Sequence, residues 1–149
     1  MHIVLGTDHG GFALKEHLKT ILVSQSHQVE DSGATTLDSN DDYPDFAFAV
    51  AEKVAADQSN NTRGILVCRS GGGMIIAANK VKGARALPVS TAEAAKYAVE
   101  VNNANIISLA ADELDPQQAE EVVNTFISAR FSAEPRHARR VEKIRQYER

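Results

Sequence analysis

The chain has 149 residues, 43% hydrophobic and 24% charged, with a net charge of −4; that is enough for one compact domain spanning residues 1–149, and the wrong sign for non-specific nucleic-acid binding. A single cysteine excludes an intrachain disulfide and fits a reducing, cytoplasmic compartment. No apolar run approaches the roughly 20 residues of a membrane span, and the first residues, MHIVLGTDHGG, lack the basic start and long apolar stretch of a secretion signal.

His2 to Thr7 (HIVLGT) is a β-rich run that ends in Asp8-His9-Gly10-Gly11. Phe12 to Ser24 follows with Phe12, Leu14, Leu18, Ile21 and Leu22 at mostly helical spacing, so the segment reads strand–turn–helix. Val29 to Asp31 is a short second strand, Thr35 to Asp42 a polar loop, and Pro44 opens a helix to about Asp57 with Phe46, Val50 and Val54 on one stripe. Gly64 to Cys68 is continuously apolar, as a strand covered on both faces requires. After Gly71-Gly72-Gly73, Met74 to Lys80 reads as a short helix and Ala84 to Val89 as a strand. Ser90 with Glu93 has capping-box spacing for a helix through Val99. Asn105 to Ala110 is the fifth strand, and Asp115-Pro116 is a good helix start, with Asp as cap and Pro in the first turn. A last helix runs from about Pro135 to the end. Alternating strands and helices predict an α/β fold: a three-layer, open, mostly parallel five-stranded sheet with helices on both faces and a C-terminal helix.

In such sheets ligands bind beyond the carboxyl ends of the strands. That rule selects Asp8 and His9 after the first strand, and Cys68, Ser70 and the glycines after the third. Asp8-His9 offers a carboxylate and an imidazole for proton transfer; the plainer alternative is a helix cap beside a surface histidine. Cys68 stands where loop amides and a helix dipole lower a thiol pKa, although cysteine is also among the commonest buried core residues. Ser70 to Gly73 has the composition of an anion nest of successive N–H groups, but its spacing matches neither GxxxxGK[ST] nor GxGxxG; an unliganded glycine turn is the alternative. On a helix, Arg136 and Arg140 of RHARR share a face, with His137 beside them, and two guanidinium forks suit a phosphate; a solvated basic helix is the common alternative. Asn102 serves either as a turn former or as a ligand for a sugar hydroxyl.

A base, a set of amide donors and a phosphate clamp together suit proton abstraction beside a carbonyl on a phosphorylated sugar. The chain also resembles the ribose-5-phosphate isomerase B / galactose-6-phosphate isomerase family. The resemblance lies in GTDHGGFALK (Gly6 to Lys15), DYPDFA (Asp42 to Ala47), GILVCRSGGGMIIAANKVKGARA (Gly64 to Ala86), NNANIISL (Asn102 to Leu109) and RHARRV (Arg136 to Val141), in family order over almost the whole chain. It implies a Rossmann-like fold and a homodimer with shared active sites, in some members paired into a tetramer. It implies no metal or organic cofactor, and interconversion of an aldose phosphate and its ketose through a cis-enediolate, with ribose 5-phosphate and ribulose 5-phosphate as the leading pair. It implies Cys68 as the base, assisted by Ser70, with the amides of Gly71, Gly72, Gly73 and Met74 on the enediolate oxyanion. Asp8 and His9 then contact the substrate, Arg136, His137 and Arg140 lie at the phosphate, and Asn102 at a sugar hydroxyl.

Two positions depart from that pattern. Where the ribose-phosphate members carry a histidine that opens the sugar ring, this chain has Val101, and where many carry an arginine after the following strand it has Asp112. Three readings follow: an isomerase that opens the ring with Asp8, His9 or His137 or takes open substrate, an isomerase of another sugar phosphate of the galactose-6-phosphate type, or a sugar-phosphate binder without turnover.

Overall fold

A computed structural model of the chain describes residues 1–148. Strands and helices alternate as β1 (His2–Thr7), α1 (Phe12–Ser24), β2 (Gln28–Asp31), α2 (Tyr43–Ala56), β3 (Thr62–Cys68), α3 (Gly72–Ala78), β4 (Ala86–Pro88), α4 (Ala92–Asn102), β5 (Ile106–Ala110), α5 (Pro116–Ser128) and α6 (Pro135–Tyr147), with a 3-10 turn at His9–Gly11. The strands form one sheet in the order β2-β1-β3-β5-β4, and every pair is parallel. No helix among the described residues is long and apolar enough to cross a membrane.

Side chains alternate across the pleat, and the two faces of the sheet build two cores. Ile3, Leu5, Ile65, Val67, Ile107 and Leu109 pack under α1, α4 and α5, with Phe126 fully buried among them. Val4, Leu66, Cys68 and Ile106 face α2 and α3, against Val50, Val54 and Met74. All seven residues of β3 and all five of β5 are buried, which is why Gly64–Cys68 reads as an unbroken apolar run rather than as an alternation. Each large aliphatic side chain covered in this way contributes about 1.5–3 kcal/mol.

Asp115 caps α5 with Pro116 in its first turn, as expected, and the structure adds a reciprocal capping box with Gln118. At α4 the cap is Thr91, whose hydroxyl accepts from the Ala94 N–H, and not Ser90; the helix begins one residue later than the Ser90–Glu93 spacing implies. That helix also runs past Val99 to Asn102, and it is Asn103, in the left-handed region at φ 50°, that ends it. Of the thirteen residues of α6 only His137 is buried.

Candidate active site

Register places the site. Thr7 pairs with Val67 and Cys68 with Ala110, so the residue after β1, Asp8, lies beside Cys68 at the carboxyl edge of the sheet. The chain connects β1 to β2 on one side and returns to β3 on the other, which opens a crevice between the two strand ends. The buried Thr7 hydroxyl ties them together by donating to the Val67 carbonyl at 2.8 Å.

The Cys68 thiol is 9% exposed and donates to Asp8 Oδ2 at 3.3 Å. Asp8 Oδ1 accepts from the Gly10 N–H at 3.1 Å and caps the 3-10 turn, so Asp8 is both a cap and the partner of the thiol. The turn after Cys68 reverses at Gly71, whose φ of 76° favours glycine, and it brings the Gly71 and Arg69 amides to the sulfur. These amides lower the thiol pKa, as the sequence suggests. Burial first, then the charge of Asp8 and its hydrogen bond, act the other way and prevail, so the thiol pKa is raised above its ordinary value. The expectation of an acidified cysteine is thus corrected by burial and by a carboxylate 60 residues away in sequence. Thiol and carboxylate form a couple able to hold and move a proton.

His9 is held by Asp41: its Nδ1 lies 2.6 Å from Asp41 Oδ1, and its N–H donates to Asp41 Oδ2 at 2.9 Å. The hydrogen bond to Asp41, with the charges of Asp41 and Asp8, raises the His9 pKa against the opposing effect of burial. Asp41 arrives on the loop between β2 and α2. The start of that loop is pinned by Lys15, fully buried, whose Nζ donates to Asp31 Oδ2 at 2.7 Å and to the Ala34 carbonyl at 2.9 Å. Asp8, His9 and Asp41 present ligand atoms within 4.8 Å of one another, the spacing of a metal site. His9 Nδ1 is already taken by Asp41, and the Asp8 oxygens by Gly10 and the thiol, so the cluster is closed by its own hydrogen bonds.

Asp41, Tyr43, Arg69 and Asp112 join this edge without having been singled out as site residues from the sequence. A Cβ on Gly73 would stand 2.7 Å from the Tyr43 ring, so only glycine lets the turn approach that side chain. Arg69 Nε donates to Asp112 Oδ2 at 3.2 Å, so the carboxylate at the departure from the family pattern faces a guanidinium. Ser70 and Gly72 are exposed in the turn, while Gly71 and Met74 are buried. No local signal in the sequence pairs Asp41 with His9 or Asp112 with Arg69.

The other predicted residues lie at the opposite edge. Asn102 ends α4 just before the amino end of β5, and β5 alone spans about 13 Å at roughly 3.3 Å per residue. The α6 start is held there too: the Ser132 N–H donates to the Glu100 carbonyl at 3.1 Å, and Ser132 Oγ lies 2.9 Å from His137 Nδ1. His137 is therefore buried in a turn contact, whereas Arg136 and Arg140 are exposed. Arg136 pairs with Glu134 at 3.1 Å, and Arg140 has no carboxylate partner among the described residues.

The raised thiol pKa carries an expected result. Iodoacetamide modification of Cys68 accelerates only as pH rises above about 8.5, the free-cysteine value. Asp8→Asn removes the negative charge and shifts that midpoint downward. An unchanged midpoint in the variant, followed by mass spectrometry across pH, contradicts the role of Asp8.

The profile of the Ribose/Galactose Isomerase family matches residues 3–144. The chain is 40% identical over 149 residues to ribose-5-phosphate isomerase B of Mycolicibacterium paratuberculosis, covering 100% of this chain and 92% of that one. It is also 40% identical over 147 residues to a probable ribose-5-phosphate isomerase B of Mycoplasma genitalium, covering 99% and 95%. The crystal structure of the Mycoplasma genitalium ribose-5-phosphate isomerase B with bound ribulose-5-phosphate superposes with a TM-score of 0.94 at 39% identity, over 99% of this chain and 95% of that one. The Thermotoga maritima structure gives a TM-score of 0.90 at 38% identity, over 97% of each.

Proposed function

Because the chain belongs to the ribose/galactose isomerase family, we propose that it interconverts ribose 5-phosphate and ribulose 5-phosphate, with Cys68 as the base. The observation that carries this is the thiol of Cys68 set against Asp8 at the crevice between β1 and β3, with the Gly71 amide on its sulfur. Cys68 takes the proton from C2 of the aldose, or from C1 of the ketose, and returns it to the other carbon. Its own proton first leaves to Asp8, already its acceptor. The negative charge that grows on the substrate oxygens is met by the amides of Gly71, Gly72, Gly73 and Met74, each such donor being worth about 3–4 kcal/mol in the transition state. Ser70, exposed beside them, carries the proton between the two oxygens. Lone cysteine and phosphorylated substrate both fit a cytoplasmic enzyme. Purified protein in a coupled assay shows turnover in both directions; none in either direction rejects the reading.

The ring-opening role falls to His9 in place of the absent histidine at Val101. Its bond to Asp41 raises its pKa, which favours the protonated form that an acid toward the ring oxygen requires. His9→Gln slows turnover of ribose 5-phosphate, a cyclic sugar, by about 10²-fold. Solvent deuterium exchange into ribulose 5-phosphate, an acyclic one, changes far less. Equal losses in both measurements place His9 in some other role.

The phosphate-binding residues are Arg136 and Arg140 of a second copy, with Asn102 beside them. They lie at the wrong edge of the sheet to meet Cys68 of their own chain. A homodimer that seats the corner formed by the end of α4 and the start of α6 of one chain on the carboxyl edge of the other completes both sites. The exposure of α6 supports this: Ile144 and Tyr147 are 55% and 83% exposed, beside a groove of about 790 Å³.

A further inference from the structure

A second cavity, of about 470 Å³, lies at the amino edge of β3 and β5 and is lined by Arg63, Arg85, Arg130, Asn103, Asn105 and Asp57, among others. Arg63 comes from β3, the strand whose far end carries Cys68, and is 8% exposed. Its guanidinium lies on the Phe126 ring, 5.4 Å from the centroid. Nη1 donates to the Ala104 carbonyl at 2.9 Å, while Nε is buried without a partner. Arg85 spends Nε on the Asn103 carbonyl and Nη1 on the Gly83 carbonyl. Arg130 bonds the carbonyls of Ile127, Ser128 and Ala129 through one nitrogen, Nη1.

Among the described residues none of the three arginines forms a salt bridge. Burial, and then the neighbouring charges of Arg130 and Arg85, push the Arg63 pKa down, the signature of a cation held without its counter-charge. The carboxylates nearby are otherwise engaged. Asp57 accepts from the N–H groups of Ser59 and Asn61 and from Ser59 Oγ. Glu148, which acts on Arg85 by charge alone, accepts from the Gly83 N–H.

We propose that this cavity binds a phosphate group, as inorganic phosphate or as the end of a small phosphate monoester, at a site separate from the one that turns substrate over. Converging guanidinium groups with unspent N–H donors match the geometry of phosphate oxygens, which accept several bonds at once. The bound anion supplies the counter-charge that Arg63 lacks.

The test is calorimetric titration of the Arg136→Ala/Arg140→Ala protein, which lacks the proposed substrate-phosphate clamp, with inorganic phosphate and with glycerol 2-phosphate. One phosphate group binds per chain, more weakly as salt rises. Arg130→Gln, a change at an exposed side chain, weakens it at least tenfold; Arg63→Gln, with folding checked by circular dichroism, removes it. Tighter binding of the monoester assigns the cavity to a phosphorylated metabolite, and the reverse order to free phosphate. Absence of binding in the Arg136→Ala/Arg140→Ala protein, or binding that survives Arg130→Gln unchanged, overturns the proposal.

Discussion

Cys68→Ala lowers isomerase turnover by about 10²–10⁴-fold, the range a positioned general base supplies, and it removes exchange of the transferred proton with deuterated solvent. The loss is chemical rather than structural. Cys68 is a small residue at the rim of the α2/α3 core, beside the fully buried Leu66 and Met74, so truncation leaves at most a small void, and circular dichroism and the melting temperature stay close to the parent. Cys68→Ser sharpens the result. It keeps the shape and the hydrogen bond to Asp8 but substitutes a hydroxyl whose proton is far harder to remove, so it is nearly as inactive as the alanine variant. A serine variant within threefold of the parent moves the base to Asp8, the proton acceptor bonded to that position.

At substrate concentrations well below the raised KM, mixing two impaired proteins restores activity. Arg136→Ala/Arg140→Ala removes the guanidinium pair and raises KM for the phosphorylated sugar, by roughly 10²-fold or more if both charge-assisted bonds of about 1.5–3 kcal/mol are lost. Cys68→Ala keeps that pair but lacks the base. In a dimer whose sites draw on both chains, each mixed dimer regains one complete site of two. Half of the dimers in an equal co-refolded mixture are mixed, so the mixture recovers about a quarter of parental activity. A dimer with self-contained sites recovers none. The measurement therefore tests the separation of Cys68 from Arg136 directly, and it is independent of which sugar phosphate serves as substrate.

The fold was legible in the sequence because its strongest signals are local. The unbroken apolar run at Gly64–Cys68 marks a strand covered on both faces, and Asp115-Pro116 marks the start of α5. Ser90 misled because a spacing rule does not see which of two adjacent hydroxyls has the extended backbone of a cap, and here that is Thr91. At the carboxyl edge the sequence points to Asp8, His9, Cys68 and the glycines, but not to their electrostatics, to Asp41, or to the distance of Asn102, Arg136 and Arg140 from them. Glycines and a following helix signal amide donors near Cys68, but the sign of its pKa shift comes from burial and from Asp8, which only the β1–β3 register brings near. Asp41 was hidden for the same reason: a polar loop does not announce that one of its carboxylates will close on an imidazole 32 residues earlier. Arg63 is the sharpest case: it lies one residue before the strand read from the sequence, and the structure extends β3 through it and covers it with Phe126.

The shielded thiol has a consequence for survival under oxidative stress. A thiolate is oxidised when its sulfur attacks a peroxide oxygen, which requires that it be ionised and accessible. Cys68 between turnovers is neither ionised nor open: it is 9% exposed, and Asp8 disfavours loss of its proton. Burial and the contact with Asp8 together slow conversion of Cys68 to its sulfenic and sulfinic acids.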